Sequence, residues 1–137
     1  RPAENAAPLD FRGNETILLV EDEDAVREIS KRILDRSGYH VLPARNGVEA
    51  LSLAEGFVGT IHLLVTDVVM PKMGGRDLAV RLASIRPGIK VLYTSGYTDN
   101  VMVHHGIQSG EAAFIQKPFT PDSLARKIRE TLGPPSA

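Results

Sequence analysis

The amino-acid sequence predicts an α/β fold, a three-layer sandwich in which helices cover both faces of one parallel sheet. Five short apolar runs alternate with five helical patterns between residues 16 and 132, which is typical of repeated β-α units. Three of those runs are nearly continuous rather than alternating, as in central strands that are buried on both faces. Right-handed connections between successive parallel strands then favour helices on both sides of the sheet.

The five expected strands are short. The first, third and fourth are the continuous apolar runs, so we expect them to be central in the sheet. In chain order the strands span Thr16–Val20, 40–43, 62–66, 90–94 and 112–116.

Helical spacing and stop signals mark the helices between these strands. Val26, Ile29 and Ile33 repeat at helical spacing, and Gly38 provides a typical stop after the first helix. A helix in third position has the same kind of apolar spacing and ends before Pro87.

The last helix is marked at both of its ends. Thr120 and Pro121 have the residue types of an N-cap followed by proline at the first helical position. Apolar residues then recur every four positions up to Leu132, and Gly133 stops the helix. The two remaining helices have weaker patterns, near residues 47–55 and 100–109.

Composition is that of an ordinary globular domain, and it excludes several classes of function. The chain has 137 residues, of which 42% are hydrophobic and 24% charged, enough for one domain with a substantial core. A net charge of −1 gives no basic excess for nucleic acid, and the absence of cysteine excludes disulfides and thiolate metal sites. No stretch approaches the roughly 18 apolar residues of a membrane span. We therefore expect this domain to bind neither nucleic acid nor membrane.

Flexible ends are expected to flank a single folded unit. Residues 1–14 contain prolines and alanines without periodicity, which is typical of a linker. Residues 15–133 carry all the strand and helix patterns, and residues 134–137 are expected to form a disordered tail. Because the sequence begins Arg-Pro-Ala without a methionine, we interpret it as an excerpt of a longer protein or as a processed form.

Polar side chains capable of chemistry stand where the expected strands end. Glu21 and Asp22 follow the first strand, Asp67 the third, Ser95 the fourth and Lys117 the fifth. Because the carboxyl ends of parallel strands meet at one side of a sheet, these side chains are expected to share one crevice. Carboxylates repel when ionised, and Mg²⁺ is a natural partner for oxygen ligands of this kind. The set therefore predicts Mg²⁺-assisted phosphoryl chemistry.

Four motifs together carry a resemblance to a known family. They are Glu21-Asp22, Asp67 with Met70-Pro71 and Gly74-Gly75, Thr94-Ser95-Gly96, and Lys117-Pro118-Phe119. In this order and at this spacing they resemble the receiver domain of two-component response regulators, over about residues 16–132. The resemblance implies a flavodoxin-like (βα)5 sandwich with a five-stranded parallel sheet in the order 2-1-3-4-5.

The resemblance also implies a role for each acid. Asp67 would accept a phosphoryl group from a phosphohistidine on a histidine kinase or a histidine phosphotransfer domain. Glu21, Asp22 and Asp67 would hold Mg²⁺, with the backbone carbonyl of Val69 as a further ligand. Glu21 stands where many family members have aspartate, which lengthens its reach to the metal.

The remaining motif residues would bind the phosphoryl group and transmit its presence. Ser95 and Lys117 would bind phosphoryl oxygens, and Gly96 and Tyr97 would shape access to the site. Phe114 matches the aromatic switch position of the family, whose ring turns inward when Ser95 moves towards the phosphoryl group. The face formed by the fourth helix, the last strand and the last helix would then change shape.

The sequence around Ser95 also indicates a context for the domain. Residues 93–98 resemble the receivers found at the C-terminus of hybrid sensor histidine kinases, so we favour that parent over a free-standing single-domain response regulator. We expect a cytoplasmic domain, in a parent that could be attached to a membrane, and a monomer or weak dimer. Beyond accepting its own phosphoryl group and hydrolysing it, the domain is expected not to be an enzyme.

Other functions fit these residues less well. A haloacid-dehalogenase-like phosphatase needs a second acid two residues after its nucleophile, where this chain has Val69. A nucleotide-binding domain would need a GxxxxGK loop followed by Ser or Thr, or a GxGxxG turn, and the chain has neither. The complete set of acids, hydroxyl and lysine argues against a degenerate receiver that acts only as a docking module. Taken singly, the acidic run could be a helix start that favours acids, and Phe114 a core residue.

Overall fold

Five parallel strands form one sheet in the computed structural model of the chain, in which residues 12–70, 72–95 and 113–133 are described. They are β1 (Thr16–Val20), β2 (His40–Ala44), β3 (Leu63–Asp67), β4 (Lys90–Ser95) and β5 (Ala113–Gln116). Their order across the sheet is β2-β1-β3-β4-β5, and neighbouring strands are parallel. The expected flavodoxin-like order is confirmed.

Four helices cover the sheet within the described residues. They are α1 (Asp24–Arg36), α2 (Gly47–Gly56), α3 (Gly75–Ile85) and α4 (Pro121–Leu132). The helix expected near residues 100–109 lies outside the described residues, as do Pro71, Gly96 and Tyr97. A membrane span needs about 20 apolar residues, and no helix in the described parts of the chain has that length and hydropathy.

Two apolar layers fill the space between the sheet and its helices. Along β1, Leu18 and Val20 face one layer while Ile17 and Leu19 face the other, because strand side chains alternate between the two faces. Helices α2 and α3 contribute to the first layer, and α1 and α4 to the second. Every residue of β1 and β3 is buried. The predicted three-layer sandwich with covered central strands is confirmed.

Strands β3 and β4 each extend one residue further than the sequence indicated. Asp67 pairs with Thr94 in the parallel ladder, and Ser95 pairs with Gln116 of β5. The expectation that Asp67 and Ser95 follow their strands was therefore wrong by one residue, since each is the last residue of its strand. Their positions are fixed by the sheet rather than by a loop.

Helix ends follow local sequence signals. Thr120 caps α4 with its Oγ1, which accepts a hydrogen bond from the Ser123 N–H at 3.1 Å, while Ser123 Oγ accepts one from the Thr120 N–H at 2.9 Å. Pro121 occupies the first turn, as predicted. Helix α1 ends before Gly38, whose φ of +98° is one that other residues rarely adopt.

Helix α1 buries a different stripe from the one that its apolar spacing indicated. Ile29 is 56% exposed, whereas Ser30, Ile33 and Leu34 are buried. Successive residues turn by about 100° around a helix, so positions 30, 33 and 34 share one side and position 29 falls next to it.

A buried ion pair closes the amino end of the sheet, where the strands begin. Arg129 of α4 contacts Glu15, which immediately precedes β1, with 2.6 Å between the guanidinium Nη2 and Oε2. The same guanidinium donates hydrogen bonds to the Tyr39 hydroxyl at 3.4 Å and to the carbonyl oxygens of Arg12 at 3.1 Å and Gly133 at 2.8 Å. Arg129 therefore ties α4 to the segments that precede β1 and β2. The domain boundaries at residues 14 and 133 stay predictions.

Candidate functional site

Four side chains from three strand ends meet at the carboxyl end of the sheet, where the strands finish. Glu21 and Asp22 follow β1, Asp67 is the last residue of β3, and Lys117 follows β5. The Lys117 Nζ lies 2.7 Å from Glu21 Oε1 and 2.8 Å from Asp67 Oδ1. The ammonium group of Lys117, which follows a third strand, thus bridges two carboxylates that are 46 residues apart in the sequence.

Asp67 is buried and held by a hydroxyl as well as by Lys117. The Thr94 Oγ1 donates a hydrogen bond of 2.6 Å to Asp67 Oδ1, the same oxygen that Lys117 contacts. Sequence reasoning placed Thr94 within a motif but gave it no role. The signal that would have found it is the strand register, because in a parallel pair the residue beside Asp67 points its side chain to the same face.

The acidic turn after β1 is held by its own backbone and by α1. The Glu21 Oε2 accepts a hydrogen bond from the Glu23 N–H at 3.0 Å. Arg27 donates to the carbonyl oxygen of Glu21 at 2.8 Å and pairs with Asp24 at 2.5 Å. Arg27 therefore fixes the turn that presents Glu21 and Asp22, a role at the site that the sequence did not indicate.

Burial and crowding change the acidity of this cluster. Burial, helped by a hydrogen bond to Asp67, raises the pKa of Glu21 to about 7 in spite of the opposing effect of Lys117. Burial alone would lower the pKa of Lys117, but its hydrogen bonds to Asp67 and Glu21 outweigh burial and raise that pKa above its usual value. The cluster therefore holds more carboxylate than one lysine neutralises.

The donor set suits a hard divalent cation. Glu21, Asp22 and Asp67 each offer a carboxylate oxygen, and these three oxygens lie within 4.8 Å of one another. Glu21 and Asp67 are buried while Asp22 is exposed, so the cluster opens to solvent on one side. All three ligands are oxygens, which is the chemistry that Mg²⁺ prefers, and a site with few carboxylates leaves positions for water and phosphate.

A glycine lets α3 approach the backbone of Asp67. A Cβ at Gly75 would lie 2.1 Å from the carbonyl oxygen of Asp67, too close for any other residue without a shift of the backbone. The Gly75 N–H donates to the carbonyl oxygen of Val68 at 2.9 Å. The start of α3 is thereby held against the end of β3. Val69, in the loop between β3 and α3, is 45% exposed, and the metal contact expected of its carbonyl stays a prediction.

Ser95 and Phe114 occupy neighbouring strands beside this cluster. Ser95 is buried, and its carbonyl oxygen accepts a hydrogen bond from the Lys117 N–H at 2.7 Å, which ties the two expected phosphoryl-binding residues together through the backbone. The Phe114 ring stacks on Tyr93, with centroids 5.5 Å apart and planes at 28°. The roles of Ser95 and Phe114 in switching, and of Gly96 and Tyr97 in access, stay predictions.

The family of the chain follows from comparison with known proteins. Residues 17–129 match the family model described as "Response regulator receiver domain". The chain belongs to this receiver family. Receiver domains are signalling domains of two-component systems and phosphorelays, in which they interact with histidine kinases or phosphotransfer proteins. The resemblance given by the four sequence motifs is confirmed.

Two relatives and one solved structure place this receiver among two-component proteins. The sensor kinase CckA of Brucella abortus is 41% identical over 123 residues, covering 90% of this chain but 13% of that kinase. Chemotaxis protein CheY1 of Helicobacter pylori is 36% identical over 120 residues, covering 85% of this chain and 96% of that protein. The crystal structure of the receiver domain of the hybrid histidine kinase CckA has 37% identity and a TM-score of 0.73, covering 86% of this chain and 99% of that one.

Proposed function

We propose that this receiver takes a phosphoryl group from a phosphohistidine onto Asp67, with Mg²⁺ bound beside it. The observation that carries the proposal is the placement of one buried carboxylate, Asp67, against a lysine, a hydroxyl and two further acids. Such a constellation has little use in a purely structural role, because the carboxylates repel one another.

The chain's own residues account for most of the proposed step. An oxygen of Asp67 attacks the phosphorus, the P–N bond breaks, and its electron pair returns to the imidazole of the donor. Lys117 neutralises charge on the phosphoryl oxygens, and the Ser95 hydroxyl donates a hydrogen bond to another of them. Glu21, Asp22, Asp67 and the carbonyl of Val69 would hold Mg²⁺, which offsets the repulsion between an anionic carboxylate and an anionic phosphoryl group.

The parent and partner form a finer part of the proposal. Its similarity to CckA supports a receiver of a hybrid sensor histidine kinase, phosphorylated by that kinase or by a phosphotransfer protein. A free-standing regulator is the second candidate, because the chain also covers 95% of CpdR of Brucella abortus and 96% of CheY1. In either parent we expect the receiver domain itself to be cytoplasmic, to be a monomer or weak dimer, and to catalyse nothing beyond its own phosphorylation and dephosphorylation.

Intact-mass measurement after incubation with acetyl phosphate and Mg²⁺ tests this function. We expect one phosphoryl increment that is stable to acid, labile to base and absent when a chelator removes Mg²⁺. Asp67→Asn should gain none, whereas Asp77→Asn, which changes an exposed aspartate on α3, should behave as the wild type. A wild-type protein that gains no increment from acetyl phosphate, nor from a phosphohistidine donor, would contradict the proposal.

A further inference from the structure

The Thr94 hydroxyl has a place that the sheet itself determines. Thr94 lies beside Asp67 in the ladder between β3 and β4, and its carbonyl oxygen accepts a hydrogen bond from the Val68 N–H at 3.1 Å. Both Thr94 and Asp67 are buried. The parallel ladder and the Val68 N–H to Thr94 carbonyl hydrogen bond therefore fix where the hydroxyl meets the carboxylate.

Two donors act on a single oxygen of Asp67. Thr94 Oγ1 lies 2.6 Å from Oδ1, and Lys117 Nζ lies 2.8 Å from the same atom. Hydrogen bonds to an ionised carboxylate are short and strong, so this pair of contacts stops the carboxylate from rotating and draws electron density towards Oδ1. The two oxygens of Asp67 are consequently inequivalent before a phosphoryl donor binds.

We propose that Thr94 is a positioning residue: its hydrogen bond keeps Oδ1 of Asp67 from attacking, so the phosphoryl group is transferred to Oδ2. This inference rests on the proposed function. In the forward step the Oδ2–P bond forms while the P–N bond of the donor breaks, and its electron pair returns to the imidazole. Oδ1 becomes the carbonyl oxygen of the acyl phosphate and keeps its hydrogen bond to Thr94.

The same hydrogen bond also assists hydrolysis, in which the phosphoryl group is lost from Asp67 to water. Water attacks the phosphorus, the P–Oδ2 bond breaks, and its electron pair stays on the carboxylate of Asp67. The negative charge that returns is shared with Oδ1, where Thr94 stabilises it. Thr94 accelerates phosphorylation by holding the carboxylate in one orientation, and it accelerates hydrolysis by stabilising the charge that returns. A residue that served stability alone would do neither.

Thr94→Val and Thr94→Ser test the inference, because valine keeps the shape of threonine without its hydroxyl and serine keeps the hydroxyl. We expect Thr94→Val to slow phosphorylation by acetyl phosphate about tenfold at saturating Mg²⁺ and to lengthen the phosphoryl-Asp67 lifetime about tenfold. Thr94→Ser should stay within about twofold of the wild type in both rates. The rates are measured by intact mass at a temperature where circular dichroism shows each variant to be folded.

Thr66→Val provides a matched control. Thr66 is also a buried threonine next to Asp67, but its hydroxyl donates to the backbone carbonyl of Asp67 at 3.1 Å and not to the carboxylate. We expect both rates of Thr66→Val to match those of the wild type. If Thr94→Val does not fold, Thr94→Ala removes the same hydroxyl and replaces it in the test.

Several outcomes would overturn the inference. Rates of the hydroxyl-free variant within about twofold of the wild type would do so, as would a change in only one of the two rates. If the wild type is phosphorylated on Asp67 and the rates of Thr94→Val are unchanged, the proposed function stands and the role of Thr94 is refuted. A wild type that is never phosphorylated removes both.

Discussion

Each end of the sheet holds a cation against carboxylates, but the number of carboxylates differs. At the amino end, Arg129 faces one carboxylate within the described residues, that of Glu15, and its guanidinium also donates to a hydroxyl and two carbonyl oxygens. At the carboxyl end, Lys117 is shared between Glu21 and Asp67, with a third carboxylate close by.

Acidity follows this difference in charge. Burial alone would raise the pKa of Glu15, but its hydrogen bond to Arg129 and the charge of that residue hold the pKa below its usual value. At the other end, burial and Asp67 raise the pKa of Glu21 to about 7 despite Lys117. The buried pair of Glu15 and Arg129 has balanced charges and stabilises the fold. The cluster around Lys117 has more carboxylates than cations, so it can bind a further cation and take part in chemistry.

The largest effect is expected from breaking the balanced pair. Arg129→Met leaves the buried Glu15 carboxylate without its cation and should lower the free energy of unfolding by about 3–5 kcal/mol. Urea denaturation measures this change. The double variant Glu15→Leu with Arg129→Met should recover most of the loss, because it removes both charges. A double variant as unstable as the single one would show that lost packing, not an unpaired charge, explains the effect.

An intermediate effect is expected from pH at the carboxyl end. The pKa of Glu21 is about 7 in the folded protein, above the 4.5 of an unperturbed glutamate. Between these two values the folded state therefore binds more protons than the unfolded chain. Stability without metal should fall by about 2 kcal/mol as pH rises from about 4.5 to about 7. Urea midpoints across this range, with chelator present, measure the fall.

Two comparisons sharpen the pH prediction. Glu21→Gln should flatten the pH dependence, whereas Glu55→Gln, an exposed change on α2, should leave it intact. Mg²⁺ should restore stability at the upper end of the range, since it binds the ionised cluster of the folded state. A wild-type stability that rises across this interval would contradict the raised pKa of Glu21.

The smallest effect is expected where a pair is exposed. Lys31 and Asp35 on α1 are 2.8 Å apart, but their side chains are 41% and 46% exposed. Lys31→Ala should change the free energy of unfolding by less than about 0.5 kcal/mol, because water already solvates both charges. A loss comparable with that of Arg129→Met would mean that burial does not separate the strong pairs from the weak ones in this protein.

Sequence reasoning succeeded where the signals were local. Thr120 and Pro121 mark a helix start within a few residues, and the acids at strand ends converge because all strands are parallel. Distant contacts that the order of parallel strands does not specify were out of reach. Glu15 and Arg129 are 114 positions apart, and nothing near either residue specifies the other. The role of Thr94 needed the strand register, which a pattern of apolar residues does not give.

The guanidinium of Arg129 has a consequence for protein engineering. It holds the carbonyl oxygens of Arg12 and Gly133 at one place, on the end of the sheet opposite Asp67. A polypeptide entering at Arg12 and leaving at Gly133 would thus pass through neighbouring points, as in domains that tolerate insertion into a host protein. The receiver could therefore be inserted into a surface loop of an unrelated host protein, with the site around Asp67 directed away from the host.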